Sequence, residues 1–285
     1  MPHLVALQSH QISAADGTML FVTDYVLPAA QARGSVVILH GLGEHSGRYR
    51  QLAGFFNACD LSVRCYDHRG HGRSQGKRGD VIHGDPMVQD AEIIVDDFSS
   101  RFATPPFLFG HSMGALFAAR LALSHRTPLR GLILSSPALA LRLSAFQARC
   151  LNLLHRLAPS LAVPNGLAPQ WLSHDVKVVA AYNTDPLVQR GISARLVRSI
   201  LSSIDFCQAQ AGTLAVPTLM LVAGDDHLVD VAGSKRFFAR LPPGLAQMQV
   251  YDGMYHELFN EIDARRPLGD LRAWLEGVGL AARQR

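Results

Sequence analysis

Six short apolar runs recur along this chain of 285 residues and constrain its fold more than any other feature. Most of them lack the polar alternation of a strand with one face in water, so they indicate strands buried on both faces of a parallel sheet. The runs are Val36–Leu39, Val63–Tyr66, Phe107–Phe109, Leu132–Leu134, Leu219–Val222 and Met248–Tyr251. Parallel neighbours need long crossover connections, so helices are expected between the runs.

Helix-like segments lie where such crossovers belong. They are Tyr49–Ala58, Pro86–Phe102, Met113–Ser124, Ser234–Leu241 and Arg266–Val278. Ahead of them, Leu4–Leu7 and Met19–Leu27 flank an Asp-Gly pair, which predicts an opening hairpin because glycine accepts the positive φ of a tight turn. The alternation predicts an α/β fold with a mostly parallel central sheet flanked by helices.

The interval 138–212 interrupts this alternation. It carries a leucine-rich helical pattern broken by prolines and contains no clear strand run. We therefore expect an α/β core formed by residues 1–137 and 213–285, with an inserted helical cap, or lid, formed by residues 138–212.

Composition and charge exclude several classes of protein. With 48% hydrophobic and 18% charged residues the chain is globular, and its net charge of +4 is not gathered into a run that would bind nucleic acid. Its four cysteines and thirteen histidines form no disulfide framework or metal motif, so neither a metal nor a cofactor is expected. No apolar run approaches the ~20 residues of a membrane span, and no secretory signal is recognisable. We expect a cytoplasmic protein whose membrane contact, if any, is peripheral.

The sequence GHSMG at Gly110–Gly114 matches the G-x-S-x-G pattern of a nucleophile elbow. It follows the run Phe107–Phe109 and opens a helix of small residues, which is the strand, turn and helix that the motif needs. A serine hydroxyl is too weakly acidic to attack an ester unaided, so it requires a histidine base and a carboxylate that orients the base. The pattern predicts Ser112 as the nucleophile.

Candidates for the acid and the base follow in the chain order typical of this elbow, which is serine, acid, histidine. Asp225 and Asp226 come directly after the fifth apolar run, and His256 comes shortly after the sixth. His256 is therefore the predicted base. Asp226 is one candidate acid, and from the residues alone Asp225 and Asp230 remain alternatives.

An ester-cleaving serine also needs amide donors for the oxyanion that forms on the substrate. In this architecture the backbone N–H after the nucleophile supplies one donor, and the loop after an earlier strand supplies the other. The sequence predicts Met113 and Leu42 for these positions. The glycines of Gly41–Gly47 are spaced G-x-G-x-x-x-G, which does not match a dinucleotide-binding turn, so a nicotinamide cofactor is not expected.

Five segments of the chain share their sequences with one known family. They are His40–Tyr49 (HGLGEHSGRY), Asp67–Ser74 (DHRGHGRS), Gly110–Gly114 (GHSMG), Tyr182–Leu187 (YNTDPL) and Tyr255–His256 (YH). The chain resembles the monoacylglycerol lipases and lysophospholipases, which are serine aminopeptidase-like α/β-hydrolases. The resemblance implies a lid-bearing hydrolase that cleaves single-chain lipid esters through an acyl-enzyme without a cofactor. It also selects Asp226 as the acid.

The resemblance extends to substrate contacts. Glu44 and Arg48 match polar residues near the alcohol end of the family's pocket, and Tyr182 is carried over as a further contact. Phe259 stands where the mammalian enzymes have a second histidine. An apolar wall selects an alcohol only weakly, so we expect simple alkyl esters to react about as fast as the glycerol monoester. Part of the apolar face of the cap is expected to line an acyl channel or to contact a membrane.

Other functions remain open at this stage. A peptidase, a thioesterase or an acyltransferase could use the same scaffold, and a non-catalytic ligand receptor could retain the same pocket. The sequence indicates neither the acyl-chain length nor the oligomeric state.

Overall fold

A mostly parallel sheet of eight strands lies at the centre of the computed structural model, which describes residues 5–82, 84–141 and 144–279. The strands, including two that form a separate small sheet, are β1 (Ala6–Ser13), β2 (Met19–Val26), β3 (Gly34–Leu39), β4 (Leu61–Tyr66), β5 (Phe107–His111), β6 (Gly131–Ser135), β7 (Ala162–Pro164), β8 (Gly191–Ser193), β9 (Thr218–Ala223) and β10 (Ala246–Tyr251). The large sheet has the order β1-β2-β4-β3-β5-β6-β9-β10. The β1–β2 and β2–β4 pairs are antiparallel and the others are parallel.

Helices cover both faces of the large sheet. They are α1 (Arg50–Ala58), α2 (Pro86–Ser99), α3 (Met113–Ser124), α4 (Ala145–Leu157), α5 (Val176–Thr184), α6 (Ala194–Gln210), α7 (Val231–Phe238) and α8 (Arg265–Gly277). One apolar cluster includes Ile94 of α2 and Phe117 of α3, and a second includes Phe56 of α1 and Leu271 of α8. The sheet is therefore enclosed between two cores.

The burial of the strands confirms the predicted fold class. Every residue of β3, β4, β5, β6 and β9 is buried, as the apolar runs indicated. β10 differs, because it forms the edge of the sheet and leaves Gln247 and Gln249 exposed. β1 and β2 form the expected hairpin, in which Gly17 adopts a φ of 82° at the turn. The predicted start of that hairpin at Leu4 lies outside the described residues.

The interval between β6 and β9 contains α4, α5, α6 and the small antiparallel sheet of β7 and β8. These two strands were not predicted, because each has three residues and β7 is exposed. The buried face of α6 belongs to the larger core cluster, and Arg120 of α3 donates to Ser203 of α6 at 2.7 Å. α6 therefore packs with the core. The division into core and cap stays a prediction, and residues 1–4, 83, 142–143 and 280–285 of those units lie outside the described residues.

Candidate active site

Ser112 lies at the sharp turn between β5 and α3. Its φ of 53° and ψ of −118° fall in a region that residues with a side chain rarely adopt. A Cβ on Gly114 would lie 2.2 Å from the carbonyl oxygen of Leu39, and a Cβ on Gly110 would lie 2.5 Å from Cα of Ala115. Both glycines are needed because backbone segments approach too closely for any side chain. The strained turn places Ser112 at the carboxyl end of the parallel strands.

His256 and Asp226 form a buried pair at the same end of the sheet. Nδ1 of His256 lies 2.7 Å from Oδ2 of Asp226, and the two side chains are 4% and 1% exposed. Oδ1 of Asp226 accepts the amides of Leu228 and Val229 at 2.9 and 3.0 Å. These bonds fix the carboxylate so that it holds the proton on Nδ1, which leaves Nε2 as the acceptor of the ring.

Electrostatics in this pair favour a charged imidazole. Burial lowers the pKa of His256, but the charge of Asp226 and its hydrogen bond outweigh burial, so the pKa is raised overall. Burial likewise raises the pKa of Asp226, but the interaction with His256 and two amide bonds lower it overall. The pair can therefore take up a proton during a reaction at little cost.

The other two aspartates considered from the sequence are engaged elsewhere. Asp225 is about half exposed and lies 3.1 Å from Nε2 of His227. Asp230 accepts the amide of Ala232 at 3.1 Å and begins α7 as its N-cap. Of the three, Asp226 is the one that bonds His256.

Ser112 and His256 line one small cavity, which leaves about 20 Å³ for the centre of a water-sized molecule. No hydrogen bond joins their side chains in this structure. Catalytic hydrogen bonds are often long in ligand-free enzymes and tighten when substrate binds. The structure therefore brings the serine and the histidine to one site without forming their contact.

The predicted oxyanion donors Leu42 and Met113 both line a larger cavity that also contains Ser112. Met113 is the first residue of α3, so its amide has no partner within the helix. The neighbouring amide of Gly41 donates to Oε1 of Glu44 at 2.5 Å. This bond holds the turn that carries the Leu42 amide.

The larger cavity has a volume of about 320 Å³ and runs from Ser112 between the core and residues of the predicted cap. This volume falls in the ordinary range for a small-molecule pocket. Most of its lining is apolar: Leu42, Met113, Ala138, Leu141, Leu167, Ile192, Val197, Ile200, Leu228 and Val229. An apolar chain attached to a reacting carbonyl at Ser112 would pack against these apolar residues.

A buried charged cluster lines the small cavity beside Ser112, and we call it the Glu44–Arg48–Glu257 cluster. Arg48 donates to Oε1 and Oε2 of Glu257 at 2.5 and 2.8 Å and to Oε2 of Glu44 at 2.7 Å. Tyr49 donates to Glu44 at 2.5 Å, and the Arg48 guanidinium lies 5.0 Å from the ring centroid of Tyr182. Glu44, Arg48, Glu257 and Tyr182 line the small cavity with Ser112.

Phe259 is not among the residues that line this small cavity. Its ring packs against Phe109 at a centroid distance of 5.7 Å and lines a different cavity, whose wall also includes Glu44, Arg48 and Glu257. Sequence reasoning missed Glu257, which does face the small cavity, although a carboxylate directly after His256 was the available signal. The wall of the small cavity is therefore charged, and the role of Phe259 at the alcohol side stays a prediction.

His111, which precedes the nucleophile, packs against His256 with ring centroids 4.7 Å apart. Burial and the charge of His256 lower its pKa to about 3, so it is uncharged at neutral pH. His111 therefore places an uncharged ring against His256 and adds no positive charge to the site.

Backbone bonds tie the interval between β6 and β9 to the histidine loop. The carbonyl of Leu172 accepts the amide of Glu257 at 2.8 Å, and the carbonyl of Trp171 accepts the amide of His256 at 3.4 Å. The Trp171 ring stacks on His227 at a centroid distance of 3.8 Å. Residues 171–172 thus help to hold His256 in place.

Comparisons with known proteins identify the family of the chain. The model of the family described as serine aminopeptidase, S33, matches residues 30–263. The chain is 34% identical over 272 residues to a monoacylglycerol lipase of Mycolicibacterium smegmatis, covering 94% of this chain and 97% of the relative. It is 33% identical over 230 residues to the phospholipase YtpA of Bacillus subtilis, covering 79% and 88%.

A solved structure shows the same architecture. The crystal structure of the monoacylglycerol lipase of Paleococcus ferrophilus matches with a TM-score of 0.80 and 32% identity, covering 96% of this chain and 100% of that one. Family and fold agree. The chain belongs to the monoacylglycerol lipase and lysophospholipase family of serine aminopeptidase-like α/β-hydrolases, and it is a serine ester hydrolase.

Proposed function

We propose that this hydrolase cleaves carboxylic esters of single-chain lipids, with Ser112 as nucleophile, His256 as base and Asp226 as acid. The observation that carries the proposal is the apolar cavity of about 320 Å³ that opens directly at Ser112, next to the buried His256–Asp226 pair. One such cavity fits one acyl chain. Relatives named monoacylglycerol lipase and phospholipase support the same class of substrate.

The reaction uses the groups already described. Ser112 Oγ attacks the ester carbonyl and gives its proton to Nε2 of His256, while Asp226 stabilises the imidazolium. The amides of Leu42 and Met113 bind the oxyanion. The intermediate then collapses, the alcohol leaves with the proton from His256, and the acyl group stays on Ser112. Water attacks this acyl-enzyme by the same route and releases the fatty acid.

A panel of donors with one acyl chain tests the proposal. Purified protein is assayed with the glycerol monoester, the thioester and the anilide of that acid, and Ser112→Ala serves as the control. We expect the ester to react fastest and release the free acid. Faster cleavage of the thioester or the anilide, or transfer to an added alcohol in place of water, would favour one of the alternative enzymes. Ligand binding without turnover would favour a receptor.

We further propose that α4 contacts membranes peripherally. Phe146, Leu153 and Leu157 lie at helical spacing on α4 and are 75%, 59% and 73% exposed. Arg149 and Arg156 of the same helix are also exposed, which suits an interface with anionic lipids. No helix in the described residues is long and apolar enough to cross a bilayer. A cytoplasmic location stays a prediction.

Co-sedimentation with anionic vesicles tests this contact. Replacing Phe146, Leu153 and Leu157 by Gln together should abolish binding without changing hydrolysis of a short, water-soluble ester. Ile262→Gln is the matched control, because Ile262 is 75% exposed outside this interval. Binding that survives the triple change would contradict the proposal.

A further inference from the structure

The Glu44–Arg48–Glu257 cluster holds more negative than positive charge in a nearly closed space. Arg48 is 11% exposed, and each of the two carboxylates is 5% exposed. Burial lowers the pKa of Arg48, but Glu257 and Glu44 raise it overall, so the guanidinium stays charged. Burial raises the pKa of Glu44, but Arg48 and neighbouring groups lower it overall. One cation thus faces two carboxylates.

The neighbouring groups do not neutralise this excess. His111 is uncharged, and burial raises the pKa of Tyr182 to about 12, so its phenol is uncharged too. His256 also lines this cavity and is uncharged when it acts as the base, so the Asp226 carboxylate bonded to its Nδ1 then adds further negative charge. Arg190 also acts on Tyr182, but it is exposed and donates to a backbone carbonyl of α5.

The small cavity that this cluster lines also has Ser112 in its wall, and we infer that the alcohol half of the ester faces it. Ser112 lines both the small cavity and the large apolar one. When the acyl chain occupies the apolar cavity, the alcohol half of the ester lies on the opposite side of the carbonyl. In that position the alcohol would lie beside Glu44, Arg48 and Glu257, which line the small cavity.

We propose that Glu257 is a specificity-determining residue, whose carboxylate leaves the alcohol side of the site with a net negative charge and so selects uncharged alcohols over phosphate-bearing ones. The proposal rests on the proposed ester hydrolysis and narrows its substrates to esters such as monoacylglycerols, away from lysophosphatidate-like esters. Arg48 would attract a phosphate if it were unpaired. Its Nη1 and Nη2, however, both donate to the carboxylate of Glu257. A charge buried in this way is only weakly screened by salt.

Two soluble esters with one acyl chain separate charge from other effects. Butyryl glycerol and butyryl glycerol 3-phosphate differ by the phosphate and do not depend on a lipid surface. For like charges about 6 Å apart at an effective dielectric constant of about 20, we expect kcat/KM to favour the uncharged ester by roughly ten- to a hundredfold. The preference should persist in 0.5 M NaCl, because buried charges are screened less than exposed ones.

Glu257→Gln removes one negative charge while leaving the Arg48–Glu44 pair intact. We expect the ratio of the two kcat/KM values to fall about tenfold or more, mainly because kcat/KM for the phosphate ester rises. Asp252→Asn is the matched control, since Asp252 is an exposed carboxylate ahead of the same loop and should leave the ratio unchanged.

Each outcome decides the matter. Equal rates for both esters in the unaltered protein, or the same ratio in Glu257→Gln, would overturn the inference. A Glu257→Gln variant that loses activity equally on both esters would also overturn it, because that result indicates a positioning role alone. Absence of turnover with either ester in the unaltered protein would count instead against the proposed function.

Discussion

Replacing Asp226 by Asn is expected to disable the site by reversing the tautomer of His256. Oδ1 of Asp226 accepts two backbone amides, so the carbonyl oxygen of an asparagine is held at that position. The NH₂ group must then face Nδ1 of His256, where Oδ2 now accepts at 2.7 Å. Because two donors cannot share that contact, Nδ1 becomes the acceptor and the ring proton moves to Nε2. Nε2 can then no longer take the proton of Ser112.

The magnitude follows from the same geometry. Two unit charges about 4 Å apart interact by about 4 kcal/mol at an effective dielectric constant near 20, which is roughly a thousandfold in rate. The equivalent substitution in a serine protease triad lowers kcat about ten thousandfold, because the wrong tautomer adds to the lost charge. We therefore expect Asp226→Asn to lower kcat by about three to four orders of magnitude, with little change in KM.

Hydrolysis of a chromogenic ester measures this effect, and the neighbouring residue supplies the control. Asp225→Asn makes the same chemical change on an aspartate that is 52% exposed and paired with His227, so it should keep most of the activity. Circular dichroism and the unfolding midpoint establish that both variants are folded. An inactive Asp225→Asn variant beside an active Asp226→Asn variant would refute the assignment of the acid.

Three further outcomes are expected. A fluorophosphonate probe should add once to the protein and not at all to Ser112→Ala, and an unchanged adduct in that variant by intact-protein mass spectrometry would exclude Ser112 as the nucleophile. Because the pKa of His256 is raised and the base must be uncharged, kcat/KM should be lost as the pH falls through a value above 6.5; an acid limb centred well below 6.5 would contradict the pairing with Asp226. Gly114→Ala should destabilise the fold by about 3 kcal/mol in chemical denaturation, since its Cβ would lie 2.2 Å from the Leu39 carbonyl; a change under about 0.5 kcal/mol would show that the turn can relax.

The central sheet was predictable because strands that are buried on both faces show continuous apolar runs in the sequence. β3, β5 and β9 consist almost entirely of apolar residues, and the elbow needs glycine wherever two backbone segments touch. The start of α7 was predicted three residues late, at Ser234, because the cap formed by Asp230 comes before the apolar pattern begins. β7 and β8 carry no pattern, since short exposed strands bury too little to constrain their residues.

The alcohol side of the site was less predictable because its partners are far apart in sequence. Arg48 and Glu257 are separated by 209 positions, and nothing in either segment indicates that they meet. The packing of Phe259 was not predicted for a related reason. A short turn of helix at Leu258–Asn260 directs its ring toward Phe109, and such a local turn is decided by the surrounding packing.

The backbone carbonyls of residues 171–172 accept amides of the histidine loop. These two bonds limit how the enzyme can be redesigned. Exchanging caps among relatives is an obvious route to new chain-length preferences, because the acyl cavity draws part of its wall from that interval. A transplant that removes Trp171 and Leu172 would also release the amides of His256 and Glu257. Chimeras that retain this dipeptide should keep a competent base, whereas those that replace it should lose turnover on every ester, whatever chain the new cavity accepts.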